Sequence, residues 1–199
     1  MALPSSKTDI CNLALCRIGA KVVTLAEITA DTAVTATHCN RFYEQTRDLL
    51  LRSNQFRFSR TRATLVRGST PDFEYSYSYK LPTDFHTLIS IYDSSEPDGV
   101  YKYKYTIEGD VILLNETTCD IRYVKNVTSV ADFDPLFIEV LTLSLALELV
   151  MPLTQDLKLY QEVKYELFNE ILPKARTIDK QEANTDGRAG KQNWNEARI

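Results

Sequence analysis

Helical and strand periodicities occupy separate blocks of this chain, and their order limits the folds that it can adopt. Apolar residues recur at helical spacing over about residues 6–18 and 32–53, and again over about 135–150 and 154–172. Between these two helical pairs, aromatic and aliphatic residues alternate with polar ones, which is the pattern of half-buried strands. Since the strands show no parallel crossovers, the helical pairs must pack together across an antiparallel insert.

We therefore predict an α+β fold: a bundle of about four helices with an inserted antiparallel β domain and an extended C-terminal arm. The 199 residues suffice for one domain with an insert. The expected parts are the first half of the helical bundle at 1–72, the β insert at 73–126, the second half of the bundle at 127–176 and the arm at 177–199.

Short signals mark the ends of the first helical pair. Ser6 is a candidate N-cap, Asp9 lies in the first turn, and Gly19 suits a left-handed helix end. We expect a connector at 20–30 before the second helix. After that helix, the alternation in residues 54–70 predicts an extended segment with Phe56 and Phe58 on one side and arginines on the other.

The second helical pair carries its own signals. Asp134 and Pro135 are a cap and a first helical residue, and they open the most apolar element of the chain. We expect Pro152 to interrupt this third helix and Pro173 to mark the end of the fourth.

Tyrosines alternate along two predicted strands of the β insert. We expect them to line a sheet face that packs on helices, on a neighbouring subunit or on a tail component, because tyrosine favours strands. Base stacking is the alternative interpretation. The residues concerned are Tyr75, Tyr77, Tyr79, Tyr101, Tyr103 and Tyr105. Further strands are expected at Leu88–Tyr92, Val111–Leu114 and Cys119–Lys125, with a turn at Glu108–Asp110.

Residues 41–67 are strongly basic within an acidic chain, and every basic residue there is arginine. This window contains seven arginines and two acidic residues, whereas the whole chain has a net charge of −4. The window is either a solvated face or a surface for an acidic partner subunit or nucleic acid, since arginine suits planar contacts with carboxylate or phosphate. The candidate residues are Arg52, Arg57, Arg60, Arg62 and Arg67.

The C-terminal segment at 177–199 has few apolar residues and balanced charge. Such a composition is too polar to fold by itself, so we expect it to act as an arm that is held by a partner. Trp194 and Ile199 are its natural anchors.

The sequence holds no recognisable catalytic or metal-binding motif. The chain has two histidines, His38 and His86, and lacks a phosphate-binding loop, a nucleophile elbow and a HExxH motif. Its four cysteines include no CxxC pair, and we expect them to be reduced thiols. We therefore predict that the protein is not an enzyme, with no catalytic residues, no metal and no bound cofactor.

Neither a membrane span nor a secretion signal is expected. Thr142, Ser144 and Glu148 break the longest apolar stretch, at Leu141–Val150. The first residues lack the apolar core of a signal peptide, so we expect the chain to be made and kept in a cytoplasm.

Three motifs in order carry a family resemblance. They are the run ICNLALCRIG at 10–19, the run FRF at 56–58 followed by Arg62 and Leu65, and the run YKLPTDF at 79–85. Together they resemble the tail adaptor proteins of tailed bacteriophages, often called tail tubular protein A, a group that includes head-completion adaptors. The family often has tryptophan where this chain has Phe56.

The resemblance implies a virion structural protein at the portal–tail junction, made in the cytoplasm of the bacterial host. It implies a ring of about twelve copies that joins the portal to the tail nozzle or next tail protein, forms part of the DNA conduit and helps retain packaged DNA until ejection. The C-terminal arm would contact the portal, through residues that include Arg188, Trp194, Arg198 and Ile199. No membrane is implied.

Two other functions remain open from the sequence. A nucleic-acid-binding module would use the arginines of 41–67, although nine basic against eighteen acidic residues at 71–176 argue against it. An enzyme would need a pocket that contains His38 or His86 with a polar partner.

Overall fold

The computed structural model describes residues 4–96, 99–102 and 104–181. It confirms the predicted α+β class, with helices and two antiparallel sheets. The helices are α1 Lys7–Arg17, α2 Leu25–Ala30, α3 Val34–Asn54, α4 Pro135–Thr154, α5 Leu157–Tyr165, a π-helical segment Glu166–Ile171 and α6 Leu172–Gln181. The strands are β1 Arg60–Thr64, β2 Val66–Arg67, β3 Tyr77–Lys80, β4 Phe85–Tyr92, β5 Thr106–Glu108, β6 Val111–Leu114 and β7 Asp120–Lys125.

The predicted start and end signals of α1 are confirmed. The Asp9 N–H donates to Ser6 Oγ at 3.2 Å, and the Ser6 N–H donates to the Asp9 carboxylate at 3.0 Å. Hydrogen bonds to the carboxylate, led by the Ser5 backbone N–H, lower the pKa of Asp9. After the helix, Gly19 adopts φ 68°, a left-handed conformation that favours glycine.

The expected connector at 20–30 contains a helix, α2, which is a correction. The Thr24 N–H donates to Glu27 Oε2 at 2.7 Å, and the Glu27 N–H donates to Thr24 Oγ1 at 3.2 Å. This reciprocal pair is a capping box, and the Thr-x-x-Glu spacing that announces it is visible in the sequence. The second predicted helix then begins at Val34 rather than at residue 32.

Helix α4 begins as predicted but continues through its proline. The Leu136 N–H donates to the Asp134 carboxylate at 2.8 Å, with Pro135 at the first helical position. The expected interruption at Pro152 is wrong, because this residue lies in the last turn of a helix that ends at Thr154 and is capped by Gln155, with φ 54°. A proline so near the end removes one hydrogen bond without breaking the helix.

The fourth predicted helix is longer than expected and includes Pro173. It begins after the cap at Asp156 and runs through α5, the π-helical segment and α6 to Gln181. In the π-helical segment the Leu172 N–H donates to the Leu167 carbonyl, five residues back. The wider turn accommodates a proline that would clash with the carbonyl four residues before it in a regular α-helix. The start of the predicted extended arm, at 177–181, is therefore helical, and the rest of the arm lies outside the described residues.

Helix α4 is the centre of the helical core and packs against α1, α3 and α5. The Phe137 ring meets Phe56 at 5.3 Å, Phe58 at 4.9 Å and Phe133 at 5.0 Å between ring centroids. The extended conformation expected at 54–70 is thus wrong at Asn54, the last residue of α3, at Gln55, which has φ 50°, and at residues 57–59, which form a 3-10 turn. It is confirmed in β1 and β2. The turn directs both Phe56 and Phe58 toward Phe137.

The apolar composition of α4 exceeds the expectation from sequence. Among the described residues it is the one helix that is long and apolar enough to cross a membrane, judged by length and composition only. The expectation that no helix of this chain would reach that length and apolarity is therefore corrected. More than half of that window, 56%, is buried inside this structure, as in the core helix of a globular bundle.

The β region contains two antiparallel sheets, with strand orders β1-β7-β4 and β2-β3-β6-β5. It starts earlier than the predicted boundary at residue 73, because β1 and β2 already belong to it. The chain passes from the first sheet to the second at Leu65, whose N–H donates to the Cys119 carbonyl at 2.8 Å. The strand predicted at Tyr101–Tyr105 is wrong for the described residues of that range, because the nearest strand, β5, begins at Thr106 and pairs with β6.

Strand β7 contacts both hydrophobic cores. Val124 belongs to the helical core, whereas Ile121 and Tyr123 belong to a second core between the two sheets. Burial and a hydrogen bond to Asp84 raise the pKa of Tyr123 to about 12. Strand β7 is buried on both faces near Val124 and so joins the helices to the sheets, together with β4, whose Ile89 also packs against the helical core.

We expect Phe137→Ala to lower the free energy of unfolding by about 3–5 kcal/mol, because it removes a fully buried ring from the aromatic cluster. The matched control is Phe73→Ala, at a side chain that is 80% exposed, which should change stability by no more than about 0.5 kcal/mol. Urea denaturation followed by circular dichroism measures both values. Equal effects of the two substitutions would contradict the central role of Phe137.

Candidate functional site

Arginines from two strands and a turn surround a shallow depression of about 310 Å³ on the first sheet. The 3-10 turn places Arg57, β1 places Arg60 and Arg62, and β7 places Arg122. Thr61 and Ile89 complete the lining. We call this surface the arginine depression.

Arg62 and Arg122 lie directly opposite each other in the antiparallel pairing of β1 with β7. Across the described residues, neither guanidinium has a hydrogen-bond or ion-pair partner. Like charges at directly opposed positions destabilise a sheet. The structure thus keeps a repulsive pair that an external anion could neutralise, and arginine binds carboxylate or phosphate oxygens in a bidentate manner.

Asp179 of α6 contacts the other two arginines of the depression. The Arg57 backbone N–H donates to Asp179 Oδ1 at 2.8 Å, and Arg60 Nη2 lies 3.5 Å from Asp179 Oδ2. Nearby, Arg176 Nε donates to Asn54 Oδ1 at 2.8 Å. These contacts fix the end of α6 beside the arginine depression.

The predicted group of five arginines does not form one surface, which corrects the expectation from sequence. Arg57, Arg60 and Arg62 come together, but Arg52 lies exposed in the last turn of α3. The Arg67 guanidinium stacks on the Tyr77 ring, 4.0 Å from its centroid. Sequence periodicity does not show which of these arginines share a surface, because the chain changes from helix to turn to strand within this window.

Arg122 is the functional candidate that the sequence interpretation missed. Its strand was expected at Cys119–Lys125, and the structure places β7 at Asp120–Lys125. However, β7 pairs with β1, which is distant in the chain, and no local sequence pattern predicts that pairing. Its position opposite Arg62 is therefore visible only in the tertiary structure.

Most of the tyrosines are internal to the β region rather than exposed to a partner. Tyr75, Tyr79 and Tyr101 are 6%, 2% and 6% exposed, and Tyr77 is half-buried. The Tyr79 hydroxyl donates to the Glu116 carbonyl at 2.8 Å, and burial raises its pKa. Tyr79 and Tyr101 belong to the second core, Tyr77 packs against it, and Tyr75 is also buried. The predicted tail-component or intersubunit face is therefore corrected for these four residues, and Tyr105, 42% exposed, remains accessible.

An acidic strip runs along α5 and the π-helical segment. Glu162, Glu166 and Glu170 line it together with the exposed Tyr165. Arg17 Nη1 donates to Glu166 at 3.0 Å and so ties the end of α1 to this strip. We call the three glutamates the glutamate ridge.

An apolar groove of about 360 Å³ lies where α3, α4 and the last helix meet. Leu49 and Phe168 are partly exposed at its rim, at 64% and 51%, and Leu50, Leu147 and Leu172 are among the residues that line it. The groove presents apolar surface of the kind that binding sites use.

Each of the two histidines has a defined contact within the folded body. His86 Nε2 donates to the Asp48 carbonyl at 2.8 Å, and the His38 ring stacks on Phe42 with centroids 6.2 Å apart. Burial raises the pKa of Cys119 to about 12, and a hydrogen bond with Cys39 raises the pKa of Cys11. In the part of the chain that the structure describes, no three His, Cys, Asp or Glu side chains form a group that could hold a metal ion.

Five predicted interaction residues lie outside the described residues. They are Tyr103 and the four arm residues Arg188, Trp194, Arg198 and Ile199. Their assignment stays a prediction.

No protein-family model matches the chain, and the search of curated proteins found no similar sequence. The family resemblance therefore rests on the ordered motifs alone.

We expect Asp179→Ala to loosen the attachment of α6, because it leaves the Arg57 N–H without its acceptor and removes the carboxylate beside Arg60. The local opening free energy of residues 172–181 should fall by about 1–2 kcal/mol. Amide hydrogen exchange measures it. Asp132→Ala is the matched control, because it removes the same charge from an exposed position. Unchanged exchange in α6 would show that Asp179 does not hold it.

Proposed function

We propose that the protein is a structural adaptor whose copies form a ring of about twelve between a phage portal and the tail. The observation that supports this most is the architecture: two helical segments, far apart in sequence, enclose α4 and flank an antiparallel β region. The sequence resemblance implies a helical bundle with a β domain and a C-terminal arm, and this architecture agrees with the first two of these features. The ring would form part of the DNA conduit in the virion and would help to retain packaged DNA.

The C-terminal arm would dock on the portal. Helix α6 carries the chain to Gln181, and Asp179 holds the end of that helix on the folded body. Beyond it, the arm offers Trp194 and Ile199 as apolar anchors. Ordering such a segment on contact costs entropy, which many simultaneous contacts around a ring would offset.

The β region would contact the tail nozzle or the next tail protein. Its exposed apolar side chains include Val66 at 77% and Phe73 at 80%, together with Tyr105. These residues replace the buried tyrosines as the proposed contact surface, since an interface needs side chains that are accessible before assembly.

Portal binding by the full chain tests the adaptor function. We expect the full chain to form a complex with the portal protein of the same virus, measured by light scattering, and a chain ending at Gln181 to lose that binding. Ending at Gln181 keeps Asp179 and the whole of α6, so the folded body is preserved. We expect Trp194→Ala in the full chain to weaken portal binding by at least about tenfold, because it removes the indole side chain that we propose as an anchor.

Two outcomes would change the proposal. Equal binding by the full and shortened chains would move the docking surface into the folded body. Absence of portal binding by both chains would contradict the adaptor function.

A nucleic-acid-binding module is the second candidate, and the unpartnered Arg62–Arg122 pair favours it. Such a module would bind free duplex DNA with an affinity that falls steeply with salt. The adaptor function instead requires that DNA slide past without tight contacts. A DNA titration of the wild-type chain and of Arg62→Gln/Arg122→Gln at several salt concentrations separates the two functions, because only the module predicts salt-dependent binding that this variant loses.

A further inference from the structure

We propose that the arginine depression of one copy binds the glutamate ridge of a second copy, so that identical chains associate head to tail. The proposal rests on the proposed ring and specifies the two surfaces that would form it. Four arginines around one depression form one surface, and three glutamates on one helical strip form the other.

The charge on each surface is available for an external partner. Arg62 and Arg122 have no counter-ion within the described parts of the chain. On the ridge, Glu166 is held by Arg17, but Glu170 has no ion-pair partner among the described residues. Glu162 has a loose contact of 3.8 Å with the exposed Lys158.

The two surfaces cannot neutralise each other within one copy. Asp179 lies beside the arginine depression and is on the same continuous helix as the ridge. At a rise of about 1.5 Å per residue, Glu170 lies about 13 Å and Glu162 about 25 Å along that helix from Asp179. Arginine and carboxylate must approach within about 4 Å to pair, so these two surfaces cannot pair with each other within the described part of one chain.

Two different, complementary patches on one chain produce a heterologous interface. Such an interface repeats from copy to copy and closes into a ring when the rotation between copies allows it. The arginine depression also contains Ile89, and the ridge presents Tyr165 at 62% exposure, so both patches include apolar side chains. Aromatic residues and arginine are enriched in protein–protein interfaces.

The charge distribution favours carboxylates over a nucleic-acid backbone as the bound anion. The chain carries a net charge of −4, with eighteen acidic against nine basic residues at 71–176. Asp179 already lies beside Arg57 and Arg60, where it would repel a phosphodiester chain that extended across the depression. A carboxylate that enters at Arg62 and Arg122 avoids this repulsion.

A complementary charge swap tests the interface in the full chain. Variant one is Arg62→Glu/Arg122→Glu, and variant two is Glu162→Arg/Glu170→Arg. These changes leave Arg57 and Arg60 in contact with Asp179 and Glu166 in contact with Arg17. Each variant alone would place like charges on both surfaces, whereas an equimolar mixture pairs every depression with a ridge of opposite charge.

Sedimentation equilibrium over a concentration series measures association. We expect the wild-type chain to associate at about 50 mM NaCl, with an association constant that falls at least about tenfold at about 500 mM. Each variant should associate at least about tenfold more weakly than wild type, and their mixture should recover the wild-type behaviour. Recovery in the mixture also shows that neither variant has lost its fold.

Several outcomes would overturn the proposal. They are a wild-type chain that stays monomeric, association unchanged in variant one, and no recovery in the mixture. Binding of a DNA duplex that variant one loses would assign the depression to phosphate instead. If association appears only in a chain that ends at Gln181, the arginine depression of the full chain is occupied by its own C-terminal arm. Portal binding is measured separately, so this interface can fail while the adaptor function stands.

Discussion

Burial of α4 is the constraint on which the rest of the structure depends. This helix is apolar over most of its circumference, with Glu139 and Glu148 as its charged residues, so it needs neighbours on several sides rather than on one face. Helices α1 and α3 come from the first part of the chain and α5 from the last, which brings distant segments together. The Phe137 aromatic cluster then attaches the turn at residues 57–59, from which β1 and the β region begin.

The position of β1 determines the electrostatics of the surface. Because the turn at 57–59 leads directly into β1, and β1 pairs with β7, Arg62 is held opposite Arg122. The Asp179 carboxylate pairs with the Arg60 guanidinium and accepts from the Arg57 backbone N–H, at one side of this cluster. Positive charge that the described residues leave unpaired is then accessible to an anionic partner.

The chain uses aromatic residues for two separate purposes. Buried rings such as Tyr79 fill the space between the sheets, and their hydroxyl groups donate to backbone or side-chain acceptors at the edge. Exposed rings such as Phe73 and Tyr165 are not covered by the described residues, at 80% and 62% exposure. The adaptor proposal depends on the second group, because contacts to other proteins must come from accessible side chains.

By itself, the sequence determined the local features: the cap of α1 at Ser6, the start of α4 at Asp134 and the antiparallel α+β class. These depend on residues close together in the chain, where spacing and hydrogen-bonding chemistry suffice. Only the tertiary structure decided that Pro173 lies within a continuous helix, that alternating tyrosines are internal, and that Arg122 faces Arg62. Each of these depends on which distant segments become neighbours, and that is set by burial of the whole core rather than by local pattern.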